Sequence, residues 1–248
     1  MRRIVRAGLA LAVVSLALRR PAVAEDLTIV STVNTPRGAT RTQTQYLSVS
    51  RIRLSGDERD TIVDLRSGKI MLLDNRRRQY SDATLDELRA FFDQMEAAMD
   101  GRPLFDRAIG ATASVSVEKG TSGRKVAGYD TDSYTLAMGD SMRMEVWTTT
   151  ALDPPARYFD ARKILYATMG PMGRRFDRLF DEMKKIKGFP LATTLDYRMR
   201  VSRRQVSSEA TEVRKGAIPD SVFGAPSDYT KIESPFGGGR PPRPAPSP

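Results

Sequence analysis

The stretch DTIVDLRSGKIMLLDNRRRQY, Asp60–Tyr80, decides how the rest of the chain is read. It divides into three short segments of strand character, Thr61–Leu65, Lys69–Asp74 and Arg77–Tyr80. Ser67-Gly68 and Asp74-Asn75 separate them, and Gly, Asn and Asp tolerate the left-handed backbone angles of tight hairpins. Three consecutive antiparallel strands are therefore expected. The middle one is apolar at Ile70, Met71, Leu72 and Leu73. Alternate side chains of a strand point to opposite faces, so this run predicts cover on both. The flanking segments are mixed, and Arg76-Arg77-Arg78 belongs in water. A curved sheet follows, one face closed by helices and the other facing a core or a cavity.

Upstream, Asp26–Asn34 is rich in β-branched residues and reads as a first strand, turned by Thr35-Pro36-Arg37-Gly38. Thr40–Leu54 alternates polar with apolar and reads as one long strand or two with a bend. About five strands thus precede any helix, and short connections make antiparallel neighbours of them.

Downstream, Thr84 and Glu87 have the spacing of a capping box. Leu85, Leu88, Phe91, Phe92, Met95 and Met99 then share one helical face, until Gly101 and Pro103 end the helix. Such a stripe is read either as core packing or as the lining of a ligand cavity, since Phe and Met serve both. A second strand series follows: Ala111–Lys119, a turn at Gly120–Gly123, then Lys125–Gly128, Asp132–Ala137 and Arg143–Thr149. Trp147, the only tryptophan, reads as a core anchor.

Asp153-Pro154-Pro155 opens a helix over about 156–169, broken by Gly170-Pro171. A second helix over about 174–187 carries Phe176, Leu179, Phe180, Met183 and Ile186 on one face, with a basic face opposite. It packs on the core or lies on an anionic membrane; Asp177, Asp181 and Glu182 dilute its charge. Gly188 is its expected C-cap. Leu191–Val201 alternates cleanly, with Leu195, Tyr197, Met199 and Val201 on one face, and Gln205–Lys215 pairs back onto it. Ile218–Tyr229 is a closing loop that tucks Val222 and Phe223 under the sheet. Ser234–Pro248 is Gly/Pro-rich and expected to be disordered.

The chain has 248 residues, 40% of them hydrophobic, enough for one sizeable core. Residues 1–24 combine Arg2, Arg3 and Arg6, an apolar run from Ala7 to Leu18, and Ala22-Val23-Ala24. That is the pattern of a signal peptide cleaved after Ala24, the alternative being a retained anchor. Arg2-Arg3 leaves both the general and the twin-arginine route open. A periplasmic or secreted protein is expected, with a single domain over 25–233 and a tail over 234–248. The formal charge is +10; five of the 40 basic residues fall in 1–24, which leaves 35 against 30 acids. That modest surplus lacks the concentrated patch that nucleic acid requires.

The chain contains no His and no Cys. Ser-His-Asp triads, thiolate nucleophiles, and zinc or haem sites built on those residues are excluded. No phosphate-loop or dinucleotide-binding glycine motif is present. Asp57, Glu58 and Asp60 cluster after Gly56, where an oxygen-ligand calcium site or a solvated turn is possible; the turn is the commoner outcome. A carboxylate-based hydrolase has no motif behind it. No cofactor or metal is expected.

Several elements resemble, in order, the exported bacterial DUF4412 family. They are the Asp60–Tyr80 stretch with Asp64, Lys69, Leu73-Asp74 and Tyr80; the Lys125–Tyr129 turn leading to Tyr134; and the Val146–Thr149 strand. The Gly188–Leu191 step and the ending Ile218-Pro219, Phe223, Pro226 and Tyr229 complete the set. Relatives often carry a Cys shortly after the Gly-Tyr turn; Thr131 or Asp132 stands there in this chain. The resemblance implies a lipoprotein-carrier-like (LolA-like) fold of the α+β class: a strongly curved antiparallel sheet, an incomplete β-barrel, with helices packed on its concave face. By analogy it implies a non-enzymatic protein that shelters a lipid or acyl chain. The residues expected to line such a cavity are Met71, Leu73, Phe91, Phe92 and Met95 from the first half. Met144, Trp147, Leu195, Tyr197 and Met199 come from the second. The alternative is an envelope interaction module that touches anionic lipid or a partner protein through its basic surface. A monomer is expected, with peripheral membrane contact as an option.

Overall fold

A computed structural model describes residues 25–36, 38–99, 114–140, 142–155, 157–168, 178–199 and 202–236. The expected leader, the stop at Gly101 and Pro103, the Gly170-Pro171 break, the first turn of the basic helix and the tail from 237 lie outside them.

Six strands come first: β1 Leu27–Asn34, β2 Thr40–Leu47, β3 Arg51–Ser55, β4 Arg59–Asp64, β5 Lys69–Asp74 and β6 Gln79–Thr84. The helix α1, Leu85–Met99, follows, then β7 Val115–Val126, β8 Tyr129–Met138 and β9 Met142–Thr149. Next come α2, Tyr158–Ala167, a short helical stretch over 178–183, β10 Phe189–Met199 and β11 Ser202–Lys215. A 3-10 turn at Asp220–Phe223 and the short β12, Thr230–Lys231, complete the order. All twelve strands form one open, curled sheet in the order β12-β6-β5-β4-β3-β2-β1-β11-β10-β9-β8-β7. Two antiparallel meanders, β1–β6 and β7–β11, are joined where the first strand meets the eleventh. Among the described strands, β12 alone pairs in parallel, against β6.

The deciding stretch forms its three strands, though the last begins at Gln79 and runs on to Thr84. Arg78 takes a left-handed φ of 52° in the turn before it, which delays pairing. Thr40–Leu54 resolves into the hairpin of β2 and β3, closed by Ser48. The capping box forms as spaced: the Thr84 hydroxyl accepts from the Glu87 amide at 3.1 Å, and the Glu87 carboxylate accepts from the Thr84 amide at 2.7 Å.

Two expectations are corrected. The expected turn at Gly120–Gly123 is instead a pair of bulges inside one long strand, which stays paired with β8 from Val115 to Val126. Gly120 lies so close to Ser133 that a Cβ there would meet its hydroxyl at 2.4 Å, and Gly123 has φ +97°, so both glycines serve the bulges. Second, α2 starts at Tyr158 with no side-chain cap, so Asp153 does not cap it. Arg157, just before the helix, donates instead to the Leu65 carbonyl at 2.9 Å and ties the entry to the end of β4. Phe236, at the start of the expected tail, packs on α1 with its ring 5.3 Å from that of Phe91 and 5.9 Å from that of Phe92.

Register fixes which side chains share a face. Ile29, Gln45, Leu54, Thr61 and Leu72 lie in one row across β1 to β5, and Leu27, Leu47, Ile52, Val63 and Ile70 in the next. On this face Ile70, Val63, Leu88 and Phe92 join Tyr158, Ala161 and Leu165 in the larger core cluster. In the other meander, Leu136, Met144 and Val146 pack with Leu179, Phe180, Met183 and Ile186 in a second cluster. The opposite face of β4 and β5 has its own small core of Ile62, Leu73 and Phe223, with Met71, Tyr80, Val222 and Tyr229 around it. The C-terminal segment 218–229 therefore supplies the second cover that the four apolar residues of β5 predicted.

Candidate functional site

The two larger clusters do not merge completely. Between them lies an open pocket of about 300 Å³, roofed by α2 and Met183 and floored by β1, β2, β3, β9, β10 and β11. Ile29, Leu54, Leu165, Met144, Leu195 and Val206 supply its apolar wall. Ser31, Gln43, Gln45, Thr193 and Ser208 form a polar band across neighbouring strands of the floor. Register explains the band: Gln45 pairs with Ile29, Gln43 with Ser31, and Thr193 with Ser208. Gln45 and Ser31 are buried, so the polar positions continue a face that is apolar on either side.

From the roof, Tyr158, Arg162 and Tyr166 descend at successive helical turns. The Arg162 guanidinium lies over both rings, at 5.9 Å and 5.3 Å from their centroids. It donates to the Gln45 amide oxygen at 3.4 Å and to the Tyr166 hydroxyl at 3.3 Å. Burial pushes the Tyr158 phenol above its usual range, which keeps it neutral. Among the described residues the pocket lining contains no carboxylate.

Of the residues expected to line a cavity, Met144, Leu195 and Tyr197 border this pocket. The others are not brought to it. Met71 and Leu73 are on the opposite face, under the C-terminal segment. Phe92 and Phe91 pack from α1 into the larger core, because the helical stripe closes on the sheet at β6 rather than on the seam. Trp147 points away from the pocket, since Met144 and Val146 occupy the alternate positions of β9. The Arg124 guanidinium stacks 5.0 Å from its ring and pairs with Glu209 at 2.7 Å. The side chains of Met95 and Met199 lie outside the described residues.

Sequence reading missed Arg162, Tyr158, Gln45 and Ser31. A signal existed: Tyr158, Arg162 and Tyr166 share one face of α2, and Gln43 and Gln45 alternate into a face that should have been apolar. Neither pattern reveals that helix and strand face each other.

The acidic loop is also differently built. Asp60 is buried on the opposite face and accepts from Arg53 Nε at 2.9 Å, Ser55 Oγ at 3.0 Å and Asn75 Nδ2 at 2.9 Å. Arg53 in turn donates to the Val222 carbonyl at 2.6 Å, and Tyr229 donates to Asn75 Oδ1 at 3.0 Å. This network clamps the C-terminal segment, so Asp60 is not part of a solvated turn. Among the described residues no group of three acidic side chains is gathered closely enough to hold a metal ion. After the Gly128-Tyr129 turn, Thr131 is buried and donates to the Arg124 carbonyl at 2.7 Å, while Asp132 pairs with Lys119 at 3.4 Å.

A second open pocket of about 380 Å³ lies at the ends of β8, β9 and β10. It mixes Asp140 and Asp196 with Arg143, Arg198 and Arg203, so its charges offset one another.

Among solved structures, the chain is similar to PNGF-II at 13% identity, with a TM-score of 0.39 over 85% of this chain and 31% of that one. It is similar to the Pseudomonas aeruginosa MucA/MucB complex at 13% identity, with a TM-score of 0.46 over 86% of this chain and 60% of that one. MucB alone matches at 12% identity and a TM-score of 0.39 over 83% of this chain and 59% of that one. The chain thus spans well under two thirds of each. A search of curated proteins finds no match. A family model described as a domain of unknown function (DUF4412) matches residues 40–229, and the chain belongs to that family.

Proposed function

We propose that this chain is an exported, non-enzymatic binding protein that holds an apolar ligand in the pocket beneath α2. In this reading the sheet is a half-barrel whose concave side carries the helices. Residues 1–24 direct export to the periplasm or beyond. One observation carries the proposal. The two core clusters stop short of each other and leave a lined, open space of about 300 Å³, within the range of about 300–1,000 Å³ for small-molecule sites. A sheet evolved only for stability fills such a seam, since unfilled apolar space forfeits contacts on one side.

The test is expression in a bacterial periplasm, followed by mass spectrometry of organic extracts and binding of a neutral hydrophobic dye. A retained lipid or saturable dye uptake supports the reading. Neither lipid nor dye on a folded protein ends it.

The alternative, an interaction module working through basic surface, finds less support. Lys184 pairs with Asp160 at 2.8 Å, Lys185 with Glu182 at 2.6 Å, and Arg76 with Glu58 at 2.8 Å. Cations already paired in this way present little net charge to a membrane.

A further inference from the structure

Arg162 is the feature of the pocket that core packing does not explain. A guanidinium has five N–H donors and is always charged. Among the described residues, its polar partners are the neutral Gln45 oxygen at 3.4 Å and the Tyr166 hydroxyl at 3.3 Å, both long contacts. Three other arginines of the sheet have carboxylate partners. Arg53 pairs with Asp60, Arg51 with Asp220, and Arg124 with Glu209. The two tyrosine rings support the Arg162 cation through their faces but do not neutralise it. The polar band on the floor is uncharged throughout. A half-buried cation facing an apolar wall is costly unless something anionic meets it there.

We infer that the pocket takes an anionic amphiphile: its head group pairs with Arg162, and a single aliphatic chain lies along Met144, Leu165 and Leu195. The inference rests on the binding-protein reading above and names the chemical class of the ligand. The planar guanidinium fork suits a carboxylate or a phosphate ester equally, because both present two oxygens at the spacing of its N–H groups. Gln45 and Ser31 stand beneath the head group to complete its hydrogen bonding. The small volume fits one chain rather than two.

The experiment uses the purified, delipidated full chain loaded with Nile red, a neutral dye. Dodecanoate, dodecyl phosphate and dodecan-1-ol then compete for the dye, with the wild type, Arg162→Gln and Arg162→Lys in parallel. At least one of the two anions should displace dye from the wild type at about tenfold lower concentration than the alcohol, as a charge-assisted head-group contact implies. Which anion does so separates a carboxylate ligand from a phosphate ester. Arg162→Gln should retain dye and alcohol binding but lose the anion preference, and Arg162→Lys should restore part of it. Equal displacement by anion and alcohol in the wild type overturns the inference, and so does a preference that survives Arg162→Gln. In either case continued dye uptake leaves the binding reading standing. A wild type that takes up no dye overturns both. If Arg162→Gln fails to fold, the wild-type comparison alone decides.

Discussion

Gly188 shows how closely single positions are constrained. It has φ +94°, and a Cβ there would sit 2.6 Å from the Thr149 carbonyl oxygen and 2.8 Å from its carbon. The same corner is held from the other side by Thr148, whose hydroxyl donates to the Lys187 carbonyl at 2.8 Å. The glycine therefore lets the chain enter β10 directly beside the end of β9. Gly68 also has positive φ, +65°, but nothing lies within 4 Å of its would-be side chain. Gly188→Ala should cost about 3 kcal/mol, combining backbone strain with a clash against backbone that cannot move away. Gly68→Ala should cost about 1 kcal/mol, from the left-handed backbone alone. Urea denaturation of the two variants measures the difference, and equal costs would show that the Thr149 approach is not limiting.

At the scale of elements, the C-terminal segment is a strap across the far side of β3, β4 and β5. Phe223 is its anchor, buried beside Ile62 and Leu73, with the Arg51 guanidinium 4.5 Å from its ring. Arg51 also bonds the Asp220 carboxylate, which holds that carboxyl below its usual value. The sign follows from the direction of the shift. A depressed carboxyl contributes stability above its unfolded value of about 3.9, and that contribution disappears as pH falls through the lower folded value. Asp220 is exposed, so the effect is local: hydrogen exchange at 218–224 should quicken below about pH 4 while exchange in β4 and β5 does not. Asp220→Asn should remove that acid step. An acid step that persists in the variant would assign it to another group. The strap was legible in outline, since Val222 and Phe223 are an apolar pair in a polar loop. The parallel pairing of Thr230 with Gln79 was not, because two residues carry no periodicity.

For the whole molecule, the central fact is two core clusters on one face of one sheet. Both draw on β10, Phe189, Leu191 and Ala192 for the larger and Leu195 and Tyr197 for the smaller, and Phe159 packs against both. A shared sheet couples them, so unfolding should be a single transition. Leu88→Ala in the larger cluster and Leu179→Ala in the smaller should each cost about 2–5 kcal/mol and lower the same midpoint. Circular dichroism and calorimetry of both variants check this, and two separated transitions would show independent units. Sequence by itself determined the local elements. Hairpins were readable from Gly, Asn and Asp between alternating runs, the start of α1 from Thr84 and Glu87, and the two-sided burial of β5 from its four apolar residues. These depend on contacts a few residues apart. Tertiary structure alone decided the meeting of β1 with β11, which sets Ser31 opposite Ala210 and Val33 opposite Ser208 and joins strands from the two ends of the chain in one pocket floor. It also decided that Arg162 stands above Gln45, 117 residues away in the chain. Spacing along a strand or helix states which side chains share a face, but not which faces meet. That choice is made by the summed burial of many residues at once, and so it left Trp147 outside the pocket and Arg162 within it.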